Sequence, residues 1–230
     1  MNNGLALFLG VAGVFAFSWG AFILPAHWQL GRLGQYRDPV DETLHPSAAP
    51  GLAAQGGEVY ADLGCVYCHT QQVRQTTLTR LKEGKRAAFN PDFERKWAGD
   101  ANQPRPSYAR DYIQDRRVFL GQVRLGPDLR NVGTRFPDDQ ALYKLLFEPQ
   151  AVTKDSLMPP HAFLFETRPI VGERSAKALA VPAPPGCEVV PTPRAEALAA
   201  YLLNLKDTYD YPEERRRNML PSAAILEGDR

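Results

Sequence analysis

The sequence predicts a mostly α-helical protein, in which one N-terminal transmembrane helix precedes a single small domain with long loops. Three observations predict it. Residues Gly4 to Leu24 carry no charge. Three later stretches repeat apolar residues at helical spacing, while strand signals between them are few. The 20 prolines are many for 230 residues and require extensive loops.

Composition narrows the function. A formal net charge of +1 gives neither a basic footprint for nucleic acid nor an acidic tail. Hydrophobic residues make up 44%, enough for a packed core. The length suits one ordinary domain with appendages, and no internal repeat is present. Cys65, Cys68 and Cys187 are the only cysteines; one close pair and one single residue do not make a disulfide framework.

The charge-free run is 21 residues long, the length a helix needs to cross roughly 30 Å of hydrocarbon. Trp19 and Trp28 suit an interfacial belt. A cleaved secretory signal is the alternative. Against it stand the lack of Lys or Arg before the run, its length, and the lack of a clear small-x-small cleavage site. Arg32 and Arg37 after the run weakly favour a cytoplasmic carboxyl-terminal side. Ala12, Ala16 and Gly20 make a small-xxx-small row on one face, which lets a second helix approach or simply reflects membrane-helix composition. The chain divides into an anchor (1–28), a polar linker (29–50), a helical domain (51–210) and a charged tail (211–230) holding the run EERRR.

Within the domain, Gly51 to Gly64 reads as a helix with Leu52, Val59, Tyr60 and Leu63 on its buried side. Asp138 to Glu148 reads as a second, capped by Asp138, with Leu142, Leu145 and Leu146 as its apolar stripe and Pro149 at its end. Thr192 to Lys206 is the clearest. Thr192 is a good cap, Pro193 fits the first turn, and Ala195, Leu198, Ala199, Leu202 and Leu205 form the stripe. Pro159 to Pro191, which contains VPAPPG, reads as largely loop.

The chemistry lies in Cys65-Val66-Tyr67-Cys68-His69. A C-x-x-C-H run is the attachment signal for c-type haem. Two thiols form thioethers to the porphyrin vinyl groups, and the adjacent His69 presents a ring nitrogen to the iron. A redox dithiol would sit in a βαβ context, which is absent. A zinc site would need a second Cys/His pair, and Cys187 stands alone. Cys187 is therefore expected to be a free thiol or a small buried hydrophobe. Haem attachment occurs outside the bacterial inner membrane, so the domain is expected in the periplasm and the amino terminus in the cytoplasm.

An electron carrier needs a sixth iron ligand, and a thioether raises the potential and excludes dioxygen. Met158, in Ser156-Leu157-Met158-Pro159-Pro160, is the candidate; Met1 is the start and Met219 lies in the tail. His161, three residues on, is a rival. The carbonyl of Pro127, in the turn Gly126-Pro127-Asp128-Leu129, is placed to receive the Nδ1–H of His69. Arg74, Trp97, Tyr112 and Arg124 are candidate partners for the haem propionates.

At these residues the chain resembles a known family. GCVYCHTQQVR (Gly64 to Arg74), LGPDLRNVGTR (Leu125 to Arg135), SLMPPHAFLF (Ser156 to Phe165) and the helix EALAAYLLNL are similar to the monohaem subunit of cbb3-type haem–copper oxidases. The Thr70 to Arg74 extension is the most specific part, and the 89 positions from His69 to Met158 match an insertion in that family. The Pro-rich segment Val181 to Pro191 departs from it. The resemblance implies a class I-like cytochrome c domain carrying one covalently bound haem c, with His69 and Met158 as iron ligands and no catalytic residues. It implies an electron-transfer subunit of a terminal oxidase in aerobic respiration. Another cytochrome c subunit or a soluble cytochrome c would supply the electrons, and the catalytic haem–copper subunit would receive them. Two alternatives share the layout of one helix and one haem: the cytochrome c subunit of a nitric oxide reductase, and a stand-alone anchored carrier. A third reading is an enzyme or gas sensor with an open iron position.

Overall fold

The computed structural model describes residues 3–39, 42–73, 79–80, 86–87, 107–207, 209 and 211. They fold as two compact units: Met1–Pro46 with Tyr108–Ile113, and Ser47–Ser107 with Gln114–Arg230. The charged tail, apart from Tyr211, lies outside the described residues.

In the first unit, α1 runs from Gly4 to Leu30, 27 residues, and is long and apolar enough to cross a membrane. It extends beyond the charge-free run through Pro25, Ala26, His27, Trp28, Gln29 and Leu30. None of its side chains is buried, and apolar residues cover every face, as a span in contact with lipid requires. One π-helical turn, Trp19–Ile23, interrupts the regular ladder, and the Leu24 N–H donates to Trp19. Its cause is Pro25, which cannot donate to the preceding turn and whose ring crowds the carbonyl four residues back. Beyond the apolar stretch, the Arg32 guanidinium lies 3.6 Å over the Trp28 ring. A two-residue hairpin follows, β1 Tyr36–Arg37 against β2 Leu44–His45. A 3-10 turn, Ala109–Tyr112, completes this unit.

The second unit is mostly helical: α2 Gly51–Asp62, α3 Asp139–Phe147, α4 Pro149–Val152 and α5 Pro193–Asn204. A short pair, β3 Thr79–Arg80 with β4 Arg86–Ala87, and a longer one, β5 Phe165–Pro169 with β6 Cys187–Pro191, are both antiparallel. The crossing of α2 and α5 organises the core. Ala53, Gly56 and Tyr60 face α5, whereas Leu52 is 48% exposed and Val59 and Leu63 are only partly buried. The apolar stripe is thus displaced from the expected one, because small residues and not large ones set this contact. A Cβ on Gly56 would stand 1.9 Å from the Ala197 carbonyl oxygen and 2.6 Å from Tyr201 Cβ. The Tyr60, Tyr201 and Phe119 rings then cluster with centroids 5.1–6.5 Å apart.

The caps read in the sequence are in place. The Asp138 carboxylate accepts from the Ala141 N–H at 2.9 Å, and the Thr192 hydroxyl accepts from the Ala195 N–H at 3.3 Å. All five stripe residues of α5 are buried. On α3, Tyr143 joins Leu142 and Leu146 in the core, and Leu145 is only partly covered. Asp138→Ala is expected to cost about 1 kcal/mol, read as a lower denaturant midpoint with an unchanged slope.

Most of the segment Pro159 to Pro191 is loop, as the sequence reads, but not all of it. It contains the β5–β6 hairpin, in register from Phe165↔Pro191 to Pro169↔Cys187. Strand β6 escaped detection because Glu188, Val189, Val190 and Pro191 are all buried, so it lacks polar alternation. The buried Glu188 carboxylate accepts from Arg168 Nε at 2.9 Å and from the Ser175 N–H at 2.8 Å. The Thr192 N–H and hydroxyl both donate to the Leu164 carbonyl, at 3.0 and 2.8 Å, closing the hairpin's base.

Candidate haem site

The Cys-x-x-Cys-His run follows α2 directly. Gly64 turns the chain with φ +69°, a left-handed value that glycine adopts freely. The 3-10 turn Cys65–Tyr67 then winds the two cysteines and His69 together: the Cys68 and His69 N–H groups both donate to the Cys65 carbonyl, at 3.2 and 3.0 Å. Cys65, Cys68 and Cys187 are all free and partly exposed. Burial pushes the Cys65 thiol up to about 11, so it is held protonated.

His69 Nδ1–H donates to the Pro127 carbonyl at 2.8 Å. That bond fixes the tautomer and leaves Nε2 as the ring's lone-pair donor. Burial lowers the His69 pKa, with the Pro127 carbonyl opposing, so the imidazole is in its neutral, ligating form. The turn fits against the ring only because residue 126 is glycine. A Cβ there would lie 2.2 Å from His69 Cε1.

The Thr70-Gln71-Gln72-Val73 run holds this arrangement. The Thr70 hydroxyl donates to Asp128 Oδ2 at 2.5 Å, and the Gln72 N–H donates to the same oxygen at 2.9 Å. Asp128 Oδ1 takes the Arg130 N–H at 2.9 Å. The Thr70 carbonyl accepts from the Leu129 N–H at 2.7 Å, and the Cys68 carbonyl from Gly126 at 3.0 Å. Gln71 receives the Tyr201 hydroxyl at 2.9 Å, tying the run to α5. Val73 pairs with Ser107 through both backbone and side chain.

Met158 is half-buried against the core on the loop after α4. Its carbonyl and that of Ser156 both accept from Gln150 Nε2, at 3.0 and 3.1 Å, and its N–H donates to Ser156 Oγ at 3.3 Å. The His161 N–H donates to the Leu146 carbonyl at 2.8 Å, pinning the same loop to α3.

The remaining candidates read from the sequence spread more widely, in different units or beyond description. Arg124 belongs to the Asp128 network: it donates to the Thr70 hydroxyl at 2.7 Å and the Gln72 carbonyl at 2.6 Å, and pairs with Asp128 at 3.4 Å. Tyr112 lies in the 3-10 turn of the first unit. Arg74 and Trp97 lie outside the described residues. Sequence reasoning missed Arg135. Its guanidinium donates to the Asp128 carbonyl at 2.7 Å, burial lowers its pKa, and its charge bears on His69. The signal was present: it stands eight residues after Pro127, beyond the 3-10 turn Val132–Thr134 that folds the chain back.

These residues fit a haem. A neutral imidazole with one nitrogen held and one open, two thiols one turn apart, a half-buried thioether and a nearby guanidinium are the donor set such a group requires. Residues 101–184, which span the Gly126–Leu129 turn and the Met158 loop, match the family model described as cytochrome c oxidase, mono-heme subunit/FixO. No curated protein matches the chain. Over those residues, about a third of its length, the chain is similar to the mono-heme subunits of cytochrome c oxidase.

Proposed function

We propose that the chain carries one haem c, joined through thioethers to Cys65 and Cys68, and relays single electrons to the oxidase's catalytic subunit. The observation that carries this reading is the Nδ1 bond of His69 to Pro127, which aims the ring's open nitrogen away from the turn beside the two thiols. His69 and Met158 serve as the iron ligands. When bound, the group supplies reversible one-electron chemistry at iron.

The chain's own residues do the rest. The Pro127 carbonyl raises the basicity of His69 and holds its orientation. Gln150 and Ser156 hold the Met158 loop, so the thioether loses little further freedom on ligation. Arg135 is the propionate partner best supported by its burial beside His69, since Arg124 is engaged by Thr70, Gln72 and Asp128. Tyr112, Arg74 and Trp97 stay proposals on sequence grounds. The haem domain is periplasmic, and α1 holds the chain in the inner membrane beside the catalytic subunit. A second cytochrome c subunit or a soluble cytochrome c donates the electrons. The oxidase match supports this reading over a nitric oxide reductase subunit or a stand-alone carrier.

The test uses the full chain produced with a c-type maturation system. Haem should stay on the polypeptide after denaturation, and Cys65→Ser with Cys68→Ser should abolish that retention. Met158→Leu should keep the haem, lower the midpoint potential and open the reduced iron to carbon monoxide. A wild-type chain that loses all haem on denaturation would sink the proposal.

A further inference from the structure

The Arg32 guanidinium lies 3.6 Å over the Trp28 ring, a stacking distance. Both side chains are exposed, Trp28 by 59%. The backbone beneath the pair is fixed. The Gly31 N–H donates to the His27 carbonyl at 2.8 Å, and the Leu33 N–H to the Leu30 carbonyl at 3.1 Å. Stacking restricts the Arg32 side chain and leaves the N–H groups along the guanidinium edge open to an acceptor.

No carboxylate answers this cation. No Asp or Glu precedes Asp38 in the chain. No ion pair among the described residues includes Arg32. The depth of the pair follows from helix geometry. At about 1.5 Å per residue, the charge-free run Gly4 to Leu24 fills roughly 30 Å of hydrocarbon. Trp28 stands four residues further on, about 6 Å outside it. That is the headgroup layer, where the anions at hand are lipid phosphates.

We propose that Trp28 and Arg32 form a binding site for an anionic phospholipid. The guanidinium edge donates to the phosphodiester oxygens, and the indole holds the guanidinium in place. A zwitterionic headgroup brings its own cation to the phosphate and competes with Arg32, so the anionic lipid is preferred. The inference rests on α1 crossing the membrane and is independent of the haem chemistry.

The experiment uses the full chain in detergent, offered equal amounts of phosphatidylglycerol and phosphatidylcholine, with retained lipid counted by native mass spectrometry. Arg32→Gln, Trp28→Leu and Arg37→Gln are compared with the wild type. All three positions are exposed, so the fold tolerates the changes. The wild type is expected to retain phosphatidylglycerol over phosphatidylcholine. Arg32→Gln should weaken that retention about tenfold, the worth of one charge-assisted bond. Trp28→Leu keeps the charge but removes the stacking, and should weaken retention by a smaller factor. Arg37, on β1 opposite Leu44, tests for charge alone, and Arg37→Gln should leave retention unchanged. Unchanged retention in Arg32→Gln or in Trp28→Leu overturns the inference. Equal loss in Arg32→Gln and Arg37→Gln also overturns it, since the attraction would then be diffuse. A wild type that retains neither lipid, or both equally, has the same consequence. A chain that leaves its membranes on alkaline carbonate washing overturns the anchoring itself, before any variant is compared.

Discussion

Gly56→Ala is expected to lower the melting temperature of the chain by roughly 6–12 °C, the counterpart of about 3 kcal/mol in a protein of this size. The added methyl would stand 1.9 Å from the Ala197 carbonyl oxygen, 2.6 Å from the Ala197 carbonyl carbon and 2.6 Å from Tyr201 Cβ. None of these atoms is the free end of a flexible side chain. The clash is relieved only by lifting α2 off α5, and α2 leads straight into Cys65. The variant should therefore lose haem retention as well as stability. Gly57→Ala is the control. Its Cβ would meet the Tyr201 ring at 3.5 Å, an ordinary contact, while the helix gains up to about 1 kcal/mol in propensity. Thermal melts followed by far-ultraviolet circular dichroism separate the two neighbours. Equal melting temperatures would contradict the packing described for α2 and α5.

Asp128→Ala is expected to cost roughly 3–5 kcal/mol, because it strands the groups around a buried carboxylate instead of removing one contact. Thr70, the Gln72 N–H and the Arg130 N–H lose their acceptor at once, and Arg124 loses its ion pair. Asp128→Asn keeps one acceptor oxygen and should fall between. The functional signature is separate from stability. The Leu129-to-Thr70 and Gly126-to-Cys68 backbone bonds hold the turn against the cysteine segment, so loosening it frees the Pro127 carbonyl from His69. Chemical denaturation gives the cost. The haem potential of the surviving fraction shows whether the His69 orientation changed. An Asp128→Ala chain as stable as the wild type would mean that the network contributes nothing.

What was legible in the sequence was whatever is local. The α5 helix carries its own signals: Thr192 as cap, Pro193 in the first turn, and five residues at helical spacing that all end in the core. The turn that gathers Cys65, Cys68 and His69 is equally local, because it lies within five adjacent residues. The anchor needed only length and the absence of charge. What escaped depended on partners distant in sequence. The α2 contact face consists of Ala53, Gly56 and Tyr60, and two of these do not register as apolar anchors; only the approach of α5, some 140 residues on, makes their smallness matter. The β5–β6 pair is separated by 17 residues, so no tight-turn dipeptide announces it. Arg124 read as a cation available to a propionate, yet Thr70, Gln72 and Asp128 engage it. The same network gives the Thr70 to Val73 run a physical meaning. Its four residues bond Asp128, Tyr201 and Ser107, so the run works as a clasp around the site.

The bonds between Thr192 and Leu164 bring together two residues 28 positions apart. Phe165, Leu179 and Val189 between them belong to the core, but the tip around Val171 is, mechanically, a detour. The Met158 loop is fixed upstream of Leu164 and α5 is fixed downstream of Thr192, so neither feels how long the detour is. Its tip is open to solvent, with Val171 90% exposed. Doubling a loop costs only about 0.6 kcal/mol in closure entropy, far less than disturbing either end. Such a tip can lengthen or shorten with little consequence for either end, whereas Phe165, Leu179 and Val189 are held in the core and cannot.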